Sequence, residues 1–536
     1  MSSARLTLPD AVDFPLTHEA RKLVAGVWLH PLSDDWAADF CSRLEQTHRA
    51  CRYAKPSFAA LDGIASDVLQ PLIKAGMDLS AVIKYIVVCL QHGNVSELRL
   101  PTLAGSTTVL RIQHRAKLAW LAAQILGAIE SDPPLRKTPR LGCMSLHRLW
   151  ACPEPLAIAR LQAIWMFWWQ LASFPEDQRL QNALRIERHS MCTTEEEWFG
   201  STVPLGHISI SSELRIEDAA ARTCSTTSSR NLDLNCANQL EGAGLAVVDF
   251  ANKQLHIGKV IPSCTQEEVM FSVRPEAYLG IPLCATMEAD EVITIRGARQ
   301  VCDYTGYGSG FRVGALQPAP TAHGVLVSAA VASAKQEGSK ATAGAAAESN
   351  LAMTPVTPLP PFLLRFEEHV PAVLAMDASW LTNPKRQFRK EAQLRDLNKA
   401  LASFSSVVLR SEPPSKHSLG VFTQAVEDTA AAAGGHSEQA RPVVCSGKWG
   451  CGVFNGDPVL KVLQQWAAAS LAGVDLCIST FGQPQQARQL NKLTQHVLQE
   501  AAVNTVGGLL TVVQAYGDSV VAGTAAVDGL AALLIV

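Results

Sequence analysis

Charged residues are scarce in this chain of 536 residues, at 18%, and they nearly cancel to a net charge of −3. A surface that is basic all over is therefore excluded, so any polyanionic ligand would need a local basic site. None of the 14 cysteines belongs to a Cys-x-x-Cys pair. Zinc clusters and a disulfide framework are consequently disfavoured, and a reducing compartment is indicated.

Long apolar runs are missing from most of the chain. Residues 1–16 mix polar and apolar side chains and lack the apolar core of a signal peptide. The stretch 519–536 is long enough to span a bilayer, but it contains Asp528, which would cost about 2.5–3.5 kcal/mol at the membrane centre. We therefore expect no membrane association, and we interpret residues 517–536 as an Ala/Gly-rich tail rather than an anchor.

Hydrophobic residues are plentiful, at 48%, and their spacing divides the chain into two regions. In residues 1–195 they recur at helical intervals, as at Leu69, Leu72 and Ile73, which predicts a mainly helical N-terminal accessory region. The aromatic run at 164–169 is typical of a buried helix. A base-stacking platform is the alternative, but the basic residues that usually accompany one are absent.

From residue 196 to residue 516, short apolar runs alternate with helical segments. The apolar runs are 245–250, 292–295, 372–375, 443–445 and 474–478, and the helical segments are 386–404, 457–471 and 484–502. This alternation predicts a three-layer α/β/α domain with a largely parallel or mixed sheet, whose ligands bind on loops beyond the strand ends. Three segments of biased composition, 219–241, 317–361 and 411–441, are interpreted as mobile insertions.

Three carboxylates and two amides lie at the two ends of one loop in this domain. Asp249 and Asn252 follow an apolar run, and Gln266, Glu267 and Glu268 come after the loop. The set suits glycoside hydrolysis, in which one acid protonates the leaving oxygen and other groups hold hydroxyls. Adjacent carboxylates face opposite sides of a strand, but both can enter one site from a turn or a helix start. Alone, a Glu–Glu pair is more typical of a solvated surface.

Several separated segments together resemble the poly(ADP-ribose) glycohydrolase family. They are 216–218 (IED), 248–252 (VDFAN), 266–268 (QEE), 303–307 (DYTGY), 376–378 (MDA), 395–400 (RDLNKA), 449–454 (WGCGVF), 479–482 (STFG) and 505–510 (TVGGLL). The resemblance implies a macrodomain-like α/β/α core with a helical N-terminal region. It also implies hydrolysis of the ribose–ribose O-glycosidic bonds of poly(ADP-ribose), with release of ADP-ribose and without a metal or organic cofactor.

The resemblance assigns roles position by position. Glu268 would protonate the departing ribose 2′-oxygen and then activate water. Glu267 and Asn252 would hold ribose hydroxyls, and Asp249 would support the loop that carries them. The other binding residues that it implies are Ile216, Glu217 and Gln266 at the adenine, Phe481 stacked on that base, Tyr307 over the diphosphate and ribose, Phe454 against the distal ribose and Gly258 in the diphosphate loop.

Departures from the family's pattern cluster on the diphosphate side. Where the family has three consecutive glycines, the chain has His256, Ile257 and Gly258. Glycines permit positive φ and close approach to phosphate, whereas a β-branched Ile would reshape the loop. Lys448 and Asn455 replace an asparagine and a glycine. The chain is therefore expected to be a hydrolase with altered loops or, alternatively, an ADP-ribose-binding module with weakened or lost turnover.

Two other chemistries fit the sequence less well. A thiol nucleophile at Cys451 has no accompanying segment with a histidine. A dinucleotide-dependent oxidoreductase needs a Gly-x-Gly-x-x-Gly loop, and the glycines around Gly450 do not have that spacing. The leading hypothesis implies poly(ADP-ribose) and poly(ADP-ribosyl)ated proteins as partners, with no sequence-specific nucleic-acid binding. It also implies a monomer located in the nucleus, the cytoplasm or both.

Overall fold

A computed structural model gives the architecture of most of the chain. It describes residues 18–50, 61–92, 107–112, 114–126, 149–150, 152–173, 184–213, 215–216, 245–256, 264–284, 286–316, 370–408, 441–500 and 502–535. The predicted insertions 219–241 and 317–361 lie outside these residues, as does 411–441 apart from its last residue. Glu217, Ile257 and Gly258 also lie outside them, so their assigned roles stay predictions.

The N-terminal region is mainly helical, as its hydrophobic spacing predicts. Its elements are α1 (His18–Trp28), α2 (Trp36–Ala50), α3 (Leu61–Lys74), α4 (Leu79–His92), β1 (Thr107–Ile112), α5 (His114–Ile125), α6 (Pro155–Ser173) and β2 (Leu184–Ser190). The aromatic run lies in α6, where Trp165, Phe167 and Trp168 are fully buried. This burial confirms the buried helix and leaves no exposed ring face on these residues for stacking bases.

The remaining elements follow the predicted alternation. They are α7 (Glu195–Phe199), β3 (Ile208–Ser211), β4 (Leu245–Asp249), α8 (Gln266–Ser272), α9 (Gly280–Leu283), β5 (Glu291–Arg296), β6 (Cys302–Thr305), β7 (Arg312–Leu316), β8 (Ala372–Ala375), α10 (Lys390–Val408), β9 (Val443–Ser446), α11 (Pro458–Ala472), β10 (Asp475–Ser479), α12 (Pro484–Gln499), α13 (Val506–Ala522) and α14 (Leu530–Ile535). The five apolar runs correspond to β4, β5, β8, β9 and β10, and the three helical segments correspond to α10, α11 and α12.

The central sheet is mixed, in the order β1-β2-β5-β8-β4-β9-β10-β3. Five adjacent strands, β8, β4, β9, β10 and β3, are parallel to one another. The three strands on the other side, β1, β2 and β5, pair antiparallel. β1 and β2 precede residue 195 and nevertheless extend the sheet, a contribution that the sequence pattern did not predict. Because the parallel strands end at one edge, the loops that follow β4, β8, β9 and β10 are brought together there.

Helices cover both faces of the sheet. In β4, Val247 packs into a core formed with α8 and the N-terminal helices, whereas Ala246 and Val248 pack into a second core with α10, α11 and α13. This alternation follows from the two-residue period of a strand. The predicted three-layer α/β/α architecture is therefore confirmed. The same period turns Asp249 toward the face that α8 covers.

The C-terminal segment corrects the prediction of a tail from residue 517. Helix α13 continues to Ala522, and α14 follows it. Val520 and Leu530 are fully buried in the second core, and a Cβ on Gly517 would lie 2.8 Å from the Phe388 carbonyl oxygen. The segment is thus packed onto the second core, and Gly517 has no room for a side chain. Across the described part of the chain, no helix has both the length and the apolar character needed to span a membrane.

Candidate active site

The two adjacent glutamates lie in the first turn of α8. Thr265 is the N-cap of this helix, and its backbone N–H donates to Glu268 Oε2 at 2.9 Å. This is the glutamate half of a capping box, in which the third helical residue reaches back to the cap. Glu267 is fully buried and Glu268 is 1% exposed. Of the two arrangements open from sequence, the helix start is therefore the one adopted, and both carboxylates enter the protein interior.

Glu267 organises the loop that leaves β4. One carboxylate oxygen accepts from the backbone N–H of Asn252 at 3.0 Å and from its Nδ2 at 2.6 Å. The other accepts from the backbone N–H of His256 at 3.2 Å. The structure thus brings Glu267 and Asn252 together, as the motif predicts. It also holds the start of the altered diphosphate loop through the main chain of His256.

Asp249 lies at the end of β4 in an unusual environment for a carboxyl group. It is fully buried, and among the described residues neither of its oxygens has a hydrogen-bond partner. Burial raises the pKa of Asp249 to about 8, against a smaller opposing effect of Arg274. Burial, followed by the charge of Asp249, raises the pKa of Glu267 well above its usual value. At neutral pH Asp249 therefore retains its proton.

Gln266 joins α8 to the end of β4. Its Nε2 donates to the carbonyl oxygen of Val248 at 2.9 Å, and its Oε1 accepts from the backbone N–H of Phe250 at 2.7 Å. These two main-chain groups flank Asp249. The resemblance places Gln266 at the adenine, whereas in this structure both ends of its amide bind the backbone. The support expected of Asp249 for the loop is thus provided by Gln266 and Glu267.

An aromatic cluster lies beside these carboxylates, at the ends of β10 and β6. The ring centroid of Phe481 is 5.6 Å from that of Tyr307 and 6.3 Å from that of Phe250. Phe481 has φ of +53°, which is rare for a bulky residue. A Cβ on Gly447 would lie 2.8 Å from the Phe481 ring, so this position requires glycine. The predicted pair Phe481 and Tyr307 is therefore brought together.

Main-chain hydrogen bonds tie this cluster to its neighbours. Gly308 N–H donates to the Cys264 carbonyl at 2.8 Å, which links the segment of Tyr307 to the start of α8. Gly482 N–H donates to the Ser212 carbonyl at 3.1 Å, which links the Phe481 turn to the segment before Ile216. Ile216 itself is fully buried in the first core. It can shape the site's wall but presents no exposed surface in this state.

The glycine-rich loop after β9 rests on buried polar contacts. Trp449 Nε1 donates to the Met376 carbonyl at 3.0 Å, and Gly456 N–H donates to the Gly450 carbonyl at 3.0 Å. Phe454 is half-buried near the loop's tip, where its carbonyl accepts from Leu381 N–H at 3.1 Å. Cys451 lies between these contacts, and burial raises the pKa of its thiol to about 12. A thiolate nucleophile at this position is therefore disfavoured.

A buried ionic network lies beneath this loop, and no sequence motif indicated its geometry. It joins Asp377 and Asp396 to Arg395, Lys399 and Lys461. The ammonium of Lys461 is 5.2 Å from the centroid of the Trp449 ring. The segments 376–378 and 395–400, which resembled the family, thus support the loop from below.

Comparison with known proteins agrees with this geometry. A family model described as poly(ADP-ribose) glycohydrolase (PARG), macro domain fold, matches residues 218–488, which is half of the chain. The chain belongs to the poly(ADP-ribose) glycohydrolase family. The matched residues include Asp249, Asn252, the Glu pair, Tyr307, Phe454 and Phe481. Ile216 and the whole N-terminal helical region lie outside the match.

Similar curated proteins carry the family's name. Poly(ADP-ribose) glycohydrolase 1 of Arabidopsis thaliana is 27% identical over 368 residues, which is 60% of this chain and 58% of the relative. Poly(ADP-ribose) glycohydrolase 1 of Caenorhabditis elegans is 24% identical over 420 residues, 78% of this chain and 42% of the relative. A probable poly(ADP-ribose) glycohydrolase 2 of Arabidopsis thaliana is 28% identical over 269 residues, 48% of this chain and 43% of the relative. The chain spans about half the length of these relatives.

Two departures from the family's pattern can be placed in the structure. Lys448 Nζ donates to Gln483 Oε1 at 3.0 Å, so this cation lies between the loops after β9 and β10. Asn455 has φ of +60°, the left-handed conformation for which glycine is best suited. Asparagine is among the few other residues that tolerate it. The glycine-to-asparagine change therefore preserves the backbone, and Asn455 Nδ2 adds a bond of 3.1 Å to the Leu381 carbonyl.

A matched pair of substitutions tests this conformation of Asn455. Both Asn455→Gly and Asn455→Ala remove the bond to Leu381, but only alanine is strained at positive φ. We expect the free energy of unfolding of the alanine variant to be about 1 kcal/mol lower than that of the glycine variant. Denaturant titration of both variants measures the difference. Equal stabilities would contradict a left-handed Asn455.

Proposed function

We propose that the chain hydrolyses the ribose–ribose O-glycosidic bonds of poly(ADP-ribose) and releases ADP-ribose, with Glu268 as general acid and base. The observation that supports this most strongly is the placement of the carboxyl groups. Glu267 and Glu268 enter the interior from the first turn of α8, and Asp249 and Asn252 meet Glu267 from the end of β4. Both segments lie within the residues that the family model matches.

The reaction requires one proton to be moved twice. Protonated Glu268 donates to the 2′-oxygen of the departing ribose as that oxygen's bond to the anomeric carbon breaks. The Glu268 carboxylate then accepts a proton from the water that attacks the anomeric carbon, which restores the acid. In its carboxylate form, Glu267 would stabilise the positive charge that develops on the sugar. An acid and water suffice, so the proposal requires no metal or organic cofactor.

The substrate would lie across the carboxyl ends of the parallel strands. Phe481 and Tyr307 offer apolar ring surface for the adenine and its ribose. The loop 450–452 offers backbone N–H groups near a diphosphate, and Phe454 would pack against the distal ribose.

Polymer attached to proteins would be the macromolecular substrate, with the chain acting as a monomer in the nucleus, the cytoplasm or both. Light scattering of the purified chain and imaging of a tagged form in cells test the last two points.

An ADP-ribose-binding module without turnover is the second candidate. It is favoured by the replacement of two of the family's three loop glycines by His256 and Ile257. Because that loop contacts phosphate in the proposal, an altered loop could retain the nucleotide while misplacing the sugar. Binding without hydrolysis is the expected signature of this candidate.

Incubation with automodified, radiolabelled poly(ADP-ribose) separates the two candidates. Products are resolved by chromatography, and affinity for ADP-ribose is measured by calorimetry on the same preparation. Release of free ADP-ribose supports the hydrolase. Measurable affinity for ADP-ribose with intact polymer supports the binding module. If the chain neither releases ADP-ribose nor binds it, both candidates are overturned.

A further inference from the structure

A buried arginine from the N-terminal region reaches the proposed acid. Arg160 lies in α6 and is fully buried. Its guanidinium Nη2 is 3.7 Å from Glu268 Oε2 and 3.5 Å from Cys264 Sγ. The same Glu268 oxygen accepts the backbone N–H of Thr265 at 2.9 Å. One oxygen of the carboxylate is therefore held from two sides, by the cap of α8 and by a cation on a different element.

The surroundings of Arg160 make this pairing costly to break. Arg160 is the one charged residue in the sequence of α6, and Leu161, Ile164 and Trp165 beside it are buried apolar side chains. A guanidinium in such a place is strongly destabilising unless an anion compensates it. The ion pair with Glu268 supplies this compensation. The one charged side chain of α6 thus lies at the position that faces the candidate acid.

We propose that Arg160 is a positioning residue that fixes Glu268 for proton transfer, so that the N-terminal helical region completes the active site. The inference rests on the proposed function. When Glu268 donates its proton, negative charge develops on its carboxylate, and a fixed cation 3.7 Å away stabilises that charge. The same contact restricts rotation of the carboxylate. Arg160 lies outside residues 218–488, the part that the family model matches.

Other charged groups around Glu268 do not replace Arg160 in this role. The thiol of Cys264 interacts with Glu268 and Arg160, the phenol of Tyr278 interacts with Arg160, and burial raises the pKa of both. Both are therefore neutral at neutral pH. On the β4 side lie the carboxyl groups of Asp249 and Glu267, and burial raises the pKa of both, with Arg274 acting in the opposite direction on Asp249. Arg160, in contrast, is a cation that forms a direct ion pair with Glu268.

Three variants in the full chain test the proposal. Arg160→Met removes the cation but keeps an unbranched side chain, and Arg160→Lys restores the charge. Lys117→Met is the matched control, because Lys117 of α5 is also a buried N-terminal cation but pairs with Glu276. For each variant, kcat and KM on polymer, the pH profile of kcat, thermal stability and the affinity for ADP-ribose are measured.

We expect Arg160→Met to lower kcat by about 100-fold with little change in ADP-ribose affinity. Its pH profile of kcat should also differ from that of the wild type, whereas a purely structural loss would lower kcat by the same factor at every pH. Arg160→Lys should recover much of kcat and the wild-type pH profile. Lys117→Met should lose thermal stability while its kcat and pH profile stay close to wild type.

The contrary outcomes are distinct. If folded Arg160→Met keeps the wild-type kcat and pH profile, the positioning role is wrong although the hydrolase proposal stands. If Arg160→Met does not fold, Arg160→Lys decides the matter. Retained kcat with the wild-type pH profile supports a charge-based role. The same pH profile with lost ADP-ribose binding contradicts that role. If the wild type releases no ADP-ribose, the failure lies in the proposed function itself.

Discussion

Glu268→Gln is expected to lower kcat on poly(ADP-ribose) by about 10³-fold, within the range typical of a lost general acid. Glutamine has the shape of glutamate but cannot donate or accept the proton that the reaction moves. It also remains a good third residue of a capping box, so the bond from Thr265 N–H to the side-chain oxygen should persist. Steady-state kinetics, together with calorimetry for ADP-ribose, measures the loss of turnover separately from binding.

A second capping box in the chain provides the control. In α7, Thr194 is the N-cap and its backbone N–H donates to Glu197 Oε2 at 2.7 Å, the same arrangement as in α8. Glu197→Gln therefore makes the same chemical change at a helix start with no role in the proposed reaction. We expect its kcat to equal that of the wild type. Turnover by Glu268→Gln close to that of Glu197→Gln would show that Glu268 is not the acid.

The buried pair of Asp249 and Glu267 should make the protein less stable as pH rises. Burial raises the pKa of Asp249 from 3.8 to about 8, so between these values the folded state binds a proton that the unfolded state has lost. Stability falls with pH wherever the folded state holds more protons. The raised pKa of Glu267 acts in the same direction. The contribution of the pair to the free energy of unfolding is thus greatest near pH 4 and is lost as the pH rises toward 8.

Asp249→Asn should remove much of this dependence, because a neutral amide of the same shape replaces the titrating group. From about pH 5 to about pH 8, the wild type should lose on the order of 3 kcal/mol more unfolding free energy than Asp249→Asn. Urea titrations at several pH values measure both slopes. Asp34→Asn is the control, since Asp34 is an exposed carboxylate and its variant should follow the wild type. If the unfolding free energies of the wild type and Asp249→Asn fall equally with pH, Asp249 is not the buried, protonated group inferred here.

The layers of the fold could be predicted because their sequence signals are local. Residues 372–375 are four apolar residues that follow Pro371, and they form β8 with those bounds. Strands β1 and β2 were not predictable, because they mix polar and apolar residues within a helical region. They also depend on long-range pairing, of β1 with β2 and of β2 with β5. The packing of the C-terminal segment was not predictable, because its composition does not show that Gly517, Val520 and Leu530 are buried.

The candidate site was predictable in its membership but less so in its contacts. The motif indicated that Asn252 and Glu267 meet, and their side chains do. Nothing in the sequence showed that the amide of Gln266 is engaged by the backbone on both sides of Asp249, because that depends on where β4 ends. Arg160 was overlooked, although one charge within the apolar sequence of α6 is a signal that can be recognised in retrospect.

The central claim, that Glu268 of this chain cleaves poly(ADP-ribose), is tested most directly by a single-turnover experiment. Wild type, Glu268→Gln and Glu197→Gln are mixed in excess with radiolabelled polymer, and ADP-ribose release is followed over time. The account predicts rapid release by the wild type and Glu197→Gln, and almost none by Glu268→Gln that still binds ADP-ribose. Equal release by all three proteins, or release by none, would contradict it.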